Sequence, residues 1–286
     1  MKFLICFLIL IQAVVSLGLD RQQTGADHAV ASPPFPGDTS QEPRRYSYEI
    51  IRKIPSDPHA FIQGFIVYDN RFLIGTGGDR HSSPIVGRQS SIRIADISTG
   101  RIMAMEMLEN LYFGEGITVF NNRLYQLTWR NRLAFVYSAD GLNLREPVKT
   151  FRYSSEGWGL THDEKNLIMS DGTPRLQFID PDDFRLIRTV SVSDRSTPVY
   201  HLNELEYVNG EIFANIYMKD QVARICPDTG RVTGWIDFSG LHTRSASLGG
   251  QDVLNGIAYD QARDKLYVTG KLWDFIYEVK ITTGNP

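Results

Sequence analysis

The chain has 286 residues, 42% of them hydrophobic and 11% aromatic, with a formal net charge of -3. That is long and apolar enough to bury a sizeable core. Acids and bases are mixed along it without a basic stripe, which argues against binding to nucleic acid or to an anionic membrane.

Residues 1–17 read as a signal peptide. Lys2 supplies the positive start, and the apolar run Phe3 to Val15 is too short to span a bilayer. Small Ser16, with Val14 two residues before it, suits cleavage. The expected destination is the secretory route or the extracellular space, with no membrane attachment once processed; an uncleaved anchor is the weaker alternative. Residues 18–45 read as a disordered linker, rich in Gln, Thr, Ser, Asp and Gly, with Pro33, Pro34, Pro36 and Pro43. Arg44-Arg45 fits a solvated charge pair better than a processing site. Cys6 lies in the leader, leaving Cys226, expected to be a small buried hydrophobe. A secreted domain without a disulfide must be held by its core.

From residue 46 to 286 the chain alternates short apolar strands with turns, and no helical period is sustained. Phe61-Ile62-Gln63-Gly64 opens the first unit, which carries a polar insertion at Gly77 to Gln89, expected to be a surface loop. Phe113-Gly114-Glu115-Gly116-Ile117-Thr118 opens the second. There, Arg123 to Trp129 should pair with Leu133 to Tyr137 across a turn. Glu156-Gly157-Trp158-Gly159, Leu202-Asn203-Glu204 and Leu254-Asn255-Gly256 open three more. Between them, Asp96 to Arg101, Asp180 to Phe184 and Pro227 to Arg231 read as structural hairpin turns. The repeated phrase aligns positions 64, 116, 159, 204 and 256, spaced by 52, 43, 45 and 52 residues. Self-similarity at roughly 40–50 residues in strand-rich sequence predicts an all-β, five-bladed β-propeller.

In such a fold equivalent positions converge on one axis. The residue before each aligned position is Gln63, Glu115, Trp158, Asn203 or Asn255. Polar groups gathered near an axis cost energy unless they bond each other, water or a ligand. Thirteen residues after the first four aligned positions stand Gly77, Trp129, Gly172 and Tyr217, and fifteen after the fifth stands Lys271, with the third register the least certain. An aromatic cup with few polar groups is what a small-ligand pocket needs. On pattern alone, a wet structural channel with Trp129 and Trp158 as packing residues is the competing reading.

These segments resemble the plant and bacterial type of glutaminyl cyclase, the glutamine cyclotransferases. The matching stretches are Ala60 to Gly64, Phe113 to Thr118, Gln126 to Trp129, Glu156 to Thr161, Leu202 to Glu206, Leu254 to Ala258 and Val268 to Trp273. They occur in the family's order. The resemblance implies a five-bladed propeller. It also implies closure of an N-terminal glutaminyl residue to pyroglutamate with release of ammonia, acting on peptides or proteins with N-terminal Gln; the chain is expected to be a monomer. The family's site carries over to Phe61, Gln63, Phe113, Glu115, Trp129, Trp158, Asn203 and Lys271. Two departures stand out. Tyr217 replaces the family's usual Trp, and Ile74-Gly75-Thr76-Gly77 stands where the family usually has Glu-Ser-Thr-Gly.

The chemistry needs a proton taken from the amine, a proton given to leaving ammonia, and stabilisation of an oxyanion. Glu115 is the carboxylate of the polar column and is expected to do the first two in turn. Gln63, Asn203 and Lys271 are the available donors, while Phe61, Phe113, Trp129, Trp158 and Tyr217 should grip the substrate. The six histidines form no zinc spacing, so no catalytic metal or cofactor is expected. A structural Ca²⁺ in the channel is compatible with Asn255 and nearby carbonyls as oxygen ligands. Two rivals stay open at this point. One is a calcium-dependent, lactonase-like hydrolase built on Glu115, Asn203, Asn255 and Asp171. The other is a non-catalytic peptide-binding propeller.

Overall fold

The structure is a computed structural model that describes residues 42–82, 89–142 and 144–283. The expected signal peptide, nearly all of the expected linker and much of the 77–89 insertion lie outside the described residues. The fold is all-β, with two short 3-10 turns at Asp140–Leu142 and Ala246–Leu248 as its described helical elements.

Strands are laid out as antiparallel meanders, each built outward from an inner strand, and the sheets are arranged in propeller fashion. Ile62–Tyr68, Arg71–Thr76, Ser91–Asp96 and Ile102–Met107 form one sheet in chain order. Gly114–Phe120, Arg123–Thr128, Leu133–Ser138 and Lys149–Arg152 form another. Leu160–His162, Leu167–Ser170, Arg175–Ile179 and Leu186–Ser191 form a third. The remaining large sheet has eight strands. It runs from Leu202–Val208 through Glu211–Ile216, Gln221–Ile225 and Val232–Asp237 to Arg44–Pro55, then through Phe275–Thr283 and Lys265–Gly270 to Leu254–Asp260. Arg44 and Arg45 already pair with Gly234 and Trp235, so the folded region begins two residues before the expected boundary at 46. Their backbones join the ladder while both residues stay exposed, in keeping with the solvated charge pair read from sequence.

The hairpins match expectation. Leu127 pairs with Ala134 and Arg123 with Ser138, while Asn215 pairs with Val222. At the outer turn after Asp96, its Oδ1 accepts from the N–H groups of Ser98 and Thr99, and Gly100 takes φ 72°. Such Asx turns fix the hairpin locally. Cys226 is only half-buried, because it opens the exposed turn closed by its N–H to the Arg231 carbonyl, at 3.0 Å.

Inner strands of neighbouring sheets approach closely. A Cβ on Gly116 would sit 2.5 Å from the Leu160 nitrogen, and one on Gly159 would sit 2.0 Å from the Asn203 carbonyl oxygen. Glycine at the aligned position is therefore a packing requirement. Position 204 departs from this rule. There Glu204 sends its carboxyl across, accepting from the N–H of Phe65 at 3.2 Å and of Ile257 at 2.9 Å. Two residues on, Glu206 accepts from Tyr259 N–H at 2.8 Å. Between the sheets the core is aliphatic and aromatic, for example Phe65, Phe72 and Tyr267 in edge and tilted ring contacts.

Candidate active site

The polar column is placed by a repeated irregularity. In four of the inner hairpins the ladder shifts register beside the column residue: between Ile62 and Gly64, Gly114 and Ile117, Leu202 and Leu205, and Leu254 and Ile257. A bulge bends the strand and re-aims the extra side chain. That is how Gln63, Glu115, Asn203 and Asn255 leave the ladder.

The second column follows an equally regular bond. The N–H groups of Gly77, Trp129, Tyr217 and Lys271 reach the carbonyls of Phe61, Phe113, His201 and Val253, at 2.8 to 2.9 Å. Each acceptor lies two residues before its column residue, so both columns stand at one mouth. Gly172 breaks the pattern and bonds to the Leu202 carbonyl instead, at 3.2 Å. Gly77 makes room here: a Cβ would lie 2.2 Å from the Phe113 ring.

All nine residues expected at the site line one cavity of about 940 Å³: Phe61, Gln63, Phe113, Glu115, Trp129, Trp158, Asn203, Tyr217 and Lys271. Its walls are aromatic. Phe61 and Phe113 meet edge to face at 6.3 Å, Phe113 and Trp129 at 5.5 Å, Trp158 and Tyr217 at 5.8 Å. The Lys271 ammonium stands 4.7 Å from the Phe61 ring centre and 5.1 Å from that of Tyr217, a cation–π cradle.

The polar groups divide the work. Glu115 is 4% exposed, and its Oε1 accepts from Gln63 Nε2 at 3.1 Å. Burial pushes its carboxyl well above the usual range, although the Lys271 charge pulls it back and Glu156 adds to the rise. Burial likewise pulls the Lys271 ammonium down to about 8, against the upward pull of Glu115. The two feel each other's charge without touching as an ion pair. Asn203 is buried in the wall, with its backbone carbonyl held by Ser170 Oγ at 2.7 Å. Its side chain lines the cavity.

The sequence reading missed several groups. Glu156 Oε2 accepts from both indoles, Trp129 Nε1 at 2.7 Å and Trp158 Nε1 at 3.0 Å, and so sets the angle of both walls. A signal was available: Glu156 stands two before Trp158, just as Phe61 and Phe113 stand two before Gln63 and Glu115. Arg130 lies 3.8 Å from the Trp129 ring centre. Asp79, Arg80, His81 and Ser82, from the start of the polar insertion, line the rim, as do Tyr112 and Gln251. Leu248 packs against the Phe61, Phe113 and Leu272 cluster.

Asn255 and Asp171 do not line the cavity. Asn255 is fully buried and donates from Nδ2 to the Ile62 carbonyl at 2.9 Å and to Gln63 Oε1 at 3.3 Å. Asp171 is engaged by its own turn through Thr173 N–H at 3.1 Å and by Gln177 at 3.2 Å. The four oxygen ligands needed for the lactonase-like reading therefore do not converge. Among the described residues, no three His, Cys, Asp or Glu side chains form a metal-holding cluster.

A sheet propeller with an aromatic cup over one buried carboxyl, two amides and a lysine defines a pocket for a small neutral, polar group. The sequence matches the glutamine cyclotransferase family over residues 22–281, and the chain belongs to that family. It is 39% identical over 239 residues to the glutaminyl-peptide cyclotransferase of Arabidopsis thaliana, covering 83% of this chain and 72% of that one. The crystal structure of Myxococcus xanthus glutaminyl cyclase superposes with a TM-score of 0.74 at 37% identity, covering 85% of this chain and all of that one.

Proposed function

We propose that this protein is a glutaminyl-peptide cyclotransferase that closes N-terminal glutamine to pyroglutamate and releases ammonia. The observation that carries the reading is Glu115: a carboxyl buried at the cavity wall, with Oε1 held by Gln63 and Oε2 left for a ligand.

In the reaction the substrate's α-amine nitrogen attacks its own γ-amide carbon. Glu115 takes a proton from that nitrogen. The carbonyl oxygen becomes an oxyanion and accepts hydrogen bonds from Asn203 and Lys271, which stand in the same wall. The C–N bond to the amide nitrogen then breaks, and Glu115 returns its proton so that nitrogen leaves as ammonia. The rise in the Glu115 pKa suits this double duty, because a shuttle works best with a pKa near the working pH. Trp129, Trp158 and Tyr217 hold the glutamine side chain so that amine and carbonyl meet. Such orientation is worth up to about 7–11 kcal/mol in well-aligned intramolecular reactions. The rest of the peptide leaves over the rim formed by Arg80, His81 and Arg130.

The architecture is read as five blades. The eight-stranded sheet divides at the short parallel pairing of Arg44–Tyr46 with Gly234–Ile236, which supports two four-stranded units beside the three separate sheets. The strand Arg44–Pro55 then supplies the outer edge of the last blade and closes the ring. The enzyme works without a metal, as a monomer, after targeting to the secretory route by residues 1–17.

The test is to incubate purified protein with a Gln-initiated dipeptide and record ammonia. One ammonia per blocked N-terminus formed is expected; absence of ammonia with folded protein would contradict the reading. Activity should also survive exhaustive chelation. A rate lost on chelation and restored by added zinc would overturn the metal-free mechanism.

A further inference from the structure

Three side chains from three inner strands form one directed chain of hydrogen bonds that runs from behind the cavity to its wall. It starts at the Ile62 carbonyl, which can only accept. Asn255 Nδ2 lies 2.9 Å from that oxygen. The reversed amide would set oxygen against oxygen there, so the orientation of Asn255 is fixed by its backbone neighbour. The second proton of the same NH₂ group points to Gln63 Oε1, at 3.3 Å. Gln63 is thereby fixed in turn, with its oxygen toward Asn255 and its NH₂ toward Glu115. That NH₂ donates to Glu115 Oε1, at 3.1 Å.

We propose that Asn255 is a positioning residue that acts through Gln63 to keep Glu115 Oε1 as a permanent acceptor, so that the travelling proton is carried on Oε2, facing the substrate. The inference rests on the reading of Glu115 as the proton carrier and adds to it which oxygen carries. Asn255 is fully buried and does not line the cavity, so it reaches the reaction only through Gln63. The geometry also explains a polar residue at this point of the fifth repeat. A hydrophobe there would leave Gln63 free to turn over. Its oxygen would then face Glu115 Oε1 and draw the proton to the wrong side.

The experiment is a double-mutant cycle on kcat with Asn255→Ala, Gln63→Ala and the pair, read with KM, the kcat–pH profile and Tm. Asn255→Ala should lower kcat at least about tenfold and leave KM within about threefold, because the proton-transfer geometry is lost but the grip is not. In the Gln63→Ala background it should cost nothing further. Full multiplication of the two effects would overturn the proposal. So would an Asn255→Ala protein with the wild-type kcat and pH profile, even if its Tm falls. Gln63→Glu decides the matter if Asn255→Ala does not fold. With Asn255 holding one oxygen of the introduced carboxyl, the other must share a proton with Glu115, so the acid limb of kcat should move up by about one pH unit or more. A superimposable profile would overturn the proposal. Glu115→Gln separates the two levels: if it is inactive while these variants change nothing, only the positioning role fails.

Discussion

Glu115 and Glu204 are both buried carboxyls on inner strands, and both are pushed well above the usual carboxylate range, chiefly by burial. Their partners separate them. Glu204 spends both oxygens on backbone N–H groups of two other strands, Phe65 and Ile257. Glu206 behaves likewise, with Tyr259 N–H on one oxygen and Thr161 Oγ1 on the other. These carboxyls replace ladder bonds that neighbouring strands cannot make with each other. Glu115 has one oxygen on a side-chain amide and the other on the cavity side. A raised pKa alone therefore marks burial, and an open oxygen beside a ligand-sized space marks the place where a proton can be exchanged.

The largest expected effect separates the two carboxyls on turnover. Glu115→Gln keeps shape but cannot shuttle a proton, so kcat should fall by about 10²–10⁴-fold with little change in KM. Near wild-type turnover would mean that the polar column is structural. Asn203→Ala should lower kcat by up to about 10²–10³-fold, as for loss of one oxyanion donor, measured with the same assay.

Stability should respond in the opposite place. Burial raises Glu206 to about 8. The folded state therefore holds a proton that the unfolded chain releases above the ordinary carboxylate range. That contribution is fully present below the unfolded pKa and is lost as pH rises through about 8, with a slope near 1.4 kcal/mol per pH unit in that window. Glu206→Gln should flatten this part of the denaturation-midpoint profile against pH; an unchanged slope would assign the pH dependence elsewhere. Glu204→Gln should cost about 1–3 kcal/mol in chemical denaturation, since an NH₂ would face one of the two N–H donors. Its kcat per folded molecule should not move. A lost kcat with intact stability would join the channel to the reaction. The smallest effect is expected for Tyr217→Trp, which keeps an aromatic wall against Trp158 and should change KM by at most about tenfold.

The repeat spacing was enough to find the mouth of the site, because aligned positions in a cyclic fold share a level and a direction. Gln63, Glu115, Asn203, Trp129 and Tyr217 came from two aligned columns, and Lys271 stands two residues beyond the register of the second. What the columns do not carry is bond partnership across strands distant in sequence. Asn255 stood in the polar column as a ligand-like residue, but its NH₂ group is committed to the Ile62 carbonyl and Gln63. Glu204 occupied a glycine position without its cross-strand bonds being readable. The bulges that turn the column residues off the ladder leave no mark in composition. In the third repeat the register itself shifts, as Gly172 bonds to the next strand, so its alignment was the weakest. The start at Arg44 was hidden because a strand ordered only by distant partners resembles a linker in isolation.

Burial raises the Glu115 carboxyl well above the usual carboxylate range while one oxygen stays free on the cavity side. Infrared difference spectroscopy of wild type against Glu115→Gln, followed across pH, tests it most directly. The expected result is a protonated-carboxyl C=O band that belongs to Glu115 and persists well above the ordinary carboxylate range. A spectrum showing Glu115 fully ionised from the ordinary carboxylate range upward would contradict it.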